Sequence, residues 1–348
     1  MKKQMGKINS GLLTGLLIAA VIIVAIIAIV GLDATGKKGS GLSKEYIYDI
    51  EGLGKIDPVL ILYEQFGKEI STGFSQSKSV FVDNNELIYV AGDKSIRIFE
   101  SSGRIKQQID LNQAPYCLTI SNGRIYVGLK EHIEVFNMDG QQLAVWPGLG
   151  NSAVLTSIAV FKKDAFAADA GNRVVVHYDT DGNIINYIGK KDNKRNIPGF
   201  VIPSPYFDLA VSKDGLLRVV NPGRHRIETY TFDGDLEFWW GKASAKVTGF
   251  CGCCNPINFA ILGDESFVTY EKGLVRVKIY DADGLFTGVV AGPEQLVKGQ
   301  SVYPCDVPTL CQKGGFDVAA DKDGRIYVLD TIKNTVKIFC KKLTNDKS

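Results

Sequence analysis

Two hydrophobic rhythms run along this chain. The first is one unbroken stretch, Gly11 to Leu32, in which Thr14 is the only polar side chain. The second begins near residue 55. It consists of apolar runs four to seven residues long, rich in Val, Ile, Tyr and Phe, separated by Gly, Asp and Asn. Alternation with a period of two predicts strands, and the separators predict tight turns.

The strand pattern repeats. Its clearest copy reads Phe316-Asp-Val-Ala-Ala-Asp-Lys-Asp-Gly-Arg-Ile-Tyr-Val-Leu-Asp330, then Asn334-Thr-Val-Lys-Ile-Phe339. This is an apolar strand, a D-x-D-G turn, a second strand, a short turn and a third alternating strand. The same order appears at Val80–Phe99, Cys117–Phe136, Ser157–Tyr178, Phe207–Tyr230 and Phe259–Tyr280. A Gly turn and a fourth strand usually follow, as at Asp139-Gly, Asp181-Gly, Asp233-Gly and Asp283-Gly. Asp-Gly pairs supply the positive φ that two-residue hairpins need. Six units of four strands predict an all-β, six-bladed β-propeller over residues 55–340. The last copy lacks a fourth strand, and a surplus strand lies near the front at Val59–Tyr63, before Gly67. It is expected to form the outer strand of the last blade and close the ring. Extra length gathers between blades, at residues 189–205, 241–256 and 292–315, and long loops on a rigid frame usually carry function.

The first rhythm predicts a different object. Its 22 residues, as a helix rising 1.5 Å per residue, reach about 33 Å, enough for a hydrocarbon core of roughly 30 Å. A cleaved secretory signal has a shorter apolar core. Lys2, Lys3 and Lys7 precede the run, so residues 1–10 read as a short basic cytoplasmic tail and 11–32 as a single-pass anchor in the lipid bilayer. Residues 33–54 read as a stalk and approach segment, and 341–348 as a polar tail. The propeller is then extracytoplasmic, on the periplasmic side of the cell membrane.

Composition adds exclusions. The net charge is +2 and acidic and basic residues are interspersed, so a nucleic-acid partner has no support. There is no G-x-G-x-x-G, Walker A, G-x-S-x-G or H-E-x-x-H pattern, which removes the sequence basis for nucleotide binding and for familiar hydrolase machinery.

The repeat unit resembles the NHL-type propeller family, in D-x-D-G at Asp321–Gly324, I-Y-V-x-D at Ile326–Asp330 and N-x-V-x-I-F at Asn334–Phe339. The resemblance covers about residues 55–340. It implies a six-bladed propeller, most often a binding module, with some enzymes among related propellers. Cys251-Gly-Cys-Cys-Asn-Pro256 lies outside the NHL pattern and resembles a motif carried by a subset of bacterial propeller proteins. A three-histidine metal site, as some related propeller lyases have, would need histidines on inner strands or rim loops. His132, His177 and His225 instead fall on third strands.

The cysteines are the main candidate chemistry. Cys251, Cys253 and Cys254 precede blade five, and Cys305 and Cys311 precede blade six, so both loops are expected to cross one face. Cys117, at the start of the inner strand of blade two, is expected to face the same rim. Three readings stand open: disulfides with no cofactor, ligation of zinc, copper or an iron–sulfur cluster, or a redox-active dithiol. Trp239, Trp240, Tyr206 and Tyr303 are candidate interface residues. Asp169, Asp321, Asp323 and Asp330 read as turn and strand-end residues. The sequence therefore points to a membrane-anchored binding or scaffold module with a cysteine cluster on one face and a membrane or extracytoplasmic protein as partner. The alternatives are a metal- or cluster-carrying electron-transfer accessory and, with least support, a lactonase- or lyase-type enzyme.

Overall fold

In the computed structural model, residues 15–24, 52, 54–297 and 315–343 are described. The chain divides into two units, Met1–Asp49 and Ile50–Ser348. In the first, residues 15–24 are helical with exposed side chains. The rest of the expected anchor and the segment Tyr46–Ile50 lie outside the described residues. Among the described residues, no helix is long and apolar enough to cross a membrane.

The second unit contains six four-stranded antiparallel sheets, with strands numbered β1 to β24 in chain order. After β1 (Tyr63–Ser71), blades one to five are β2–β5 (within residues 77–110), β6–β9 (117–145), β10–β13 (155–188), β14–β17 (209–240) and β18–β21 (258–291). Blade six has the order β1-β24-β23-β22, with β22–β24 within residues 317–341. The architecture is thus an all-β six-bladed propeller.

Each blade's second strand is sealed on both faces because blades stack face to face. Ile88–Gly92, Leu217–Asn221, Phe267–Glu271 and Ile326–Asp330 are buried throughout. Outer strands such as Ile105–Asp110 and Gln142–Val145 are mostly exposed. The hydrophobic clusters therefore lie between blades: Val80, Ile88 and Val90 of blade one pack with Tyr327, Leu329 and Val336 of blade six. The repeated acids hold the turns. Asp321 accepts the amides of Asp323 and Arg325, both at 2.9 Å. Asp169 accepts those of Val154, Gly171 and Asn172, and Asp330 those of Ile332 and Lys333.

Closure of the ring comes from the front of the chain, but not from Val59–Tyr63. Pro58–Leu60 forms a 3-10 turn, started by Asp57 accepting the Val59 amide, and Ile61 bridges to Val289 of blade five. The closing strand is β1, paired from Tyr63↔Lys341 to Ser71↔Thr335. Gly67, which read as the strand's end, has φ 68° and lies where the register shifts between Phe66 and Ile70. A bulge at that glycine lets the strand run on. Only Tyr63 and Ile70 of β1 are buried, and they anchor it to the clusters beneath.

The long connection after β13 folds back over blades three and four, bringing Phe200 onto Phe207 and Tyr230. Gly189, at the end of β13, has φ +77°, and a Cβ there would lie 1.9 Å from the Phe200 ring. Gly189→Ala combines left-handed strain with overpacking, and is expected to destabilise by about 2–4 kcal/mol in urea titration of the solubilised chain. A change below about 0.5 kcal/mol would mean that this loop does not pack on the blade.

Candidate functional site

At or near the start of every opening strand a polar or thiol-bearing residue stands directly before an apolar one, and these six form a ring around the channel: Ser79, Cys117, Ser157, Asp208, Asn258 and Asp317. Several of these side chains tie one blade to the next. Asp317 accepts the Val80 amide at 2.8 Å, across the seam from blade six to blade one. Asp208 accepts the Phe259 amide at 2.8 Å, from blade four to blade five. The Asn258 side chain donates to the Phe316 carbonyl at 2.6 Å, and the Ser157 hydroxyl to the Leu209 carbonyl at 3.3 Å. The ring borders a cavity of about 470 Å³ that draws its walls from all six blades and its rim from Gln76, Lys78, Tyr116, Tyr206 and Ile332.

Two buried carboxylates border this channel, and the charge of one perturbs the other. Burial pushes Asp208 up to about 7, and the charge of Asp317 adds to this, while hydrogen bonds from Ser157 and from the Phe259 and Leu209 amides oppose it. Burial likewise pushes Asp317 up to about 6, against hydrogen bonds from Val80, Ser79 and Val318. Each still accepts two backbone amides, because the Leu209 and Val318 amides donate to their second oxygens. These acids hold the frame while facing the cavity.

The cysteine loop lies beside this cavity, behind Tyr206. Tyr206 lines the cavity, its hydroxyl accepts the Gly315 amide at 3.0 Å, and the Lys272 ammonium sits 4.9 Å over its ring. The loop is clamped from below. The Asn255 side chain donates to the carbonyls of Cys251 and Lys272 and accepts the Lys272 amide at 2.9 Å. The Gly252 carbonyl meets His225 Nε2 at 2.6 Å. The Cys251 amide donates to Glu271, which lies with Arg276 and Lys278 in a sealed ion cluster. Burial lowers Lys278 to about 8, against the pull of Glu271.

Within the loop, Cys253 is exposed and Cys254 is buried, and their sulfurs are 3.3 Å apart. Ser204 Oγ lies 3.5 Å from Cys254 Sγ and accepts from Lys272 Nζ at 3.1 Å. Burial alone would raise the Cys254 thiol, but hydrogen bonds from Ser204, Lys272 and Cys253 leave it below its ordinary value. The hydrogen bond to Cys254, with some burial, raises Cys253.

The remaining candidates separate. Cys305, Cys311 and Tyr303 lie outside the described residues. Cys251, Cys253, Cys254, Cys117 and Cys340 all carry free thiols. Cys117 lines the channel but is packed among Leu155, Ile158 and Tyr126 between blades two and three, and burial raises its thiol strongly. Cys340 lies on β24, opposite Glu64. Among the described residues, no three His, Cys, Asp or Glu side chains converge as a metal site. His177 is on β12, and His132 and His225 directly precede β8 and β16, none of them at the cavity. Trp239 and Trp240 do not act as a pair, because neighbours on a strand point to opposite faces. Trp239 is exposed under the Arg226 guanidinium, whereas Trp240 is core, packed on Phe267 and Tyr280.

Sequence reasoning missed the channel ring and the ion cluster. The ring had a signal, a polar residue or cysteine recurring directly before an apolar one at the start of each opening strand. The Glu271, Arg276 and Lys278 cluster had none, since its residues alternate with apolar ones on what reads as ordinary strands.

A rigid β-channel walled by six blades, with a shaped recess at one mouth, defines the class: a six-bladed propeller. Comparison with known proteins agrees on that architecture. A streptogramin B lyase is similar with a TM-score of 0.55 at 12% identity, over 80% of this chain and 98% of the other. A virginiamycin B lyase from Staphylococcus aureus is similar at 0.54 and 11%, over 80% and 100%. A protein of unknown function from Bacteroides thetaiotaomicron is similar at 0.55 and 13%, over 80% and 73%. At such identities the likeness establishes fold alone. No family model matches the sequence. No curated protein matches it either.

Proposed function

We propose that the chain is a membrane-anchored, extracytoplasmic binding module of NHL type, whose recognition surface is the channel mouth and the loops around it. The observation that carries this reading is the state of the channel's polar groups. Asp208, Asn258, Asp317 and Ser157 are engaged with the backbone of the neighbouring blade. Groups held in this way shape a recess and supply fixed polarity, the usual construction of a binding site. The long connections 189–205 and 241–256 end at the opening strands of blades four and five, where Tyr206 also stands. The apolar stretch 11–32, helical over residues 15–24, supports the anchor.

Photo-crosslinking in intact cells tests the surface. A benzoylphenylalanine at Tyr116 or Gln76, on the rim, is expected to capture a membrane or extracytoplasmic protein. The same group at Leu143 or Leu285, exposed on the outer side of blades, is expected to capture none. Capture confined to the outer positions would overturn the assignment.

A further inference from the structure

The loop 249–256 is held in place without its sulfurs. Asn255 bridges it to Lys272, Glu271 receives the Cys251 amide, and His225 meets the Gly252 carbonyl. Cys253 and Cys254 are thus spared structural duty. They nonetheless lie in S–H···S contact at 3.3 Å, one exposed and one buried, with Ser204 and Lys272 around the buried sulfur.

We propose that Cys253 and Cys254 form a thiol–disulfide exchange site, in which Cys253 receives an external disulfide and Cys254 resolves it. The asymmetry of exposure sets the order: an incoming disulfide reaches the Cys253 sulfur and not the one behind it. Electrostatics sets the protonation, because Ser204 and Lys272 favour the thiolate at Cys254 and leave the shared proton on Cys253. Exchange begins when that proton passes to Cys254 along the S–H···S contact. The Cys253 thiolate attacks one sulfur of R–S–S–R′, forming Cys253–S–S–R and breaking the original S–S bond. R′–S⁻ leaves and takes the proton back from Cys254. The Cys254 thiolate then attacks Cys253 Sγ, closing a Cys253–Cys254 disulfide and expelling R–S⁻. Two protein thiols are oxidised and one disulfide is reduced to two thiols. A dithiol reductant reverses the sequence and resets the site.

The test uses the full-length chain in detergent, fully reduced, then exposed without air to oxidised glutathione and followed by mass spectrometry of the tryptic peptide 247–272. The unaltered protein is expected to lose two hydrogens between Cys253 and Cys254 and to release two equivalents of glutathione. In Cys254→Ser and Cys254→Ala the Cys253 proton passes to solvent instead, so each should react more slowly and stop with one glutathione on Cys253, and Cys253→Ser should take up none in this peptide. Two replacements at Cys254, with circular dichroism and melting as controls, separate loss of resolution from loss of folding. Lys272→Met should slow the reaction roughly tenfold at pH 7 and move its pH profile upward. The proposal is overturned if the unaltered protein stops at a Cys253 adduct. It is equally overturned by a bridge from either sulfur to another cysteine, or by a stoichiometric metal released when these thiols are alkylated. None of these readouts depends on what the channel mouth binds.

Discussion

Glu271→Ala is expected to destabilise the propeller by about 3–5 kcal/mol. Glu271 is fully buried with Arg276 and Lys278, and no solvent reaches the three to replace a missing charge. The Arg276 guanidinium donates two hydrogen bonds of 2.9 Å to its oxygens, and Lys278 Nζ lies 3.0 Å away. Deleting the carboxylate leaves two cations in an apolar surrounding and removes the acceptor of the Cys251 amide. Breaking one side of a buried pair is far more harmful than replacing the whole set with apolar groups. Adding Lys278→Met to Glu271→Ala should therefore recover part of the loss. Urea midpoints at constant m-value measure both effects. A loss below about 1 kcal/mol in the single variant would show that the cluster is not charged in the folded protein. Because the cluster anchors the cysteine loop, the single variant should also show faster alkylation of Cys254 than the parent.

The second large effect concerns pH. Asp208 and Asp317 have folded-state values of about 7 and about 6, above the ordinary 3.8. A carboxyl raised in this way binds its proton more tightly folded than unfolded. Its contribution is fully present below the unfolded value and is lost as pH rises through the folded one. The two groups together make stability fall between about pH 4 and pH 7. The fall amounts to a few kcal/mol, at roughly 1.4 kcal/mol for each tenfold gain in proton affinity, less the relief that the open cavity provides. Asp317→Asn should be less stable than the parent at pH 4.5, since an amide cannot accept both the Val80 and Val318 amides. That gap should narrow by pH 7.5, where the parent has lost its proton and the variant has none to lose. A gap that widens as pH rises would refute the raised value at Asp317.

The repeat grammar was legible because strands announce themselves twice, in alternation and in their turns. Asp321-Lys-Asp-Gly324 reads as a turn and is one, with Asp321 accepting two amides of that turn. Closure by an early segment was legible from the missing fourth strand after Phe339. Its location was not, because a glycine in a strand reads as punctuation, and only the pairing of Ile70 with Val336 shows that β1 continues past Gly67. For the site, sequence placed Cys251, Cys253 and Cys254 in a loop before blade five, as found. It did not foresee that Cys117 packs in the seam between blades two and three, since any small apolar side chain fits the same strand position. Nor did it pair Lys272 with Ser204, 68 positions away, a contact that only the ring's curvature creates.

The closing strand also imposes a timetable on synthesis. β1 leaves the ribosome first, and its partner β24 follows about 260 residues later, from Ser71 to Thr335. At ~5–20 residues per second the delay is about 13–50 s. Throughout it, β1 has no partner while five complete blades take shape behind it. Its own side chains suit the wait: Glu64, Gln65, Lys68 and Glu69 are all exposed in the finished ring, and charged edges resist wrong pairing. The arrival of β24 thus converts an open stack of blades into a ring, and a ribosome stalled before Thr335 would leave a chain that cannot close.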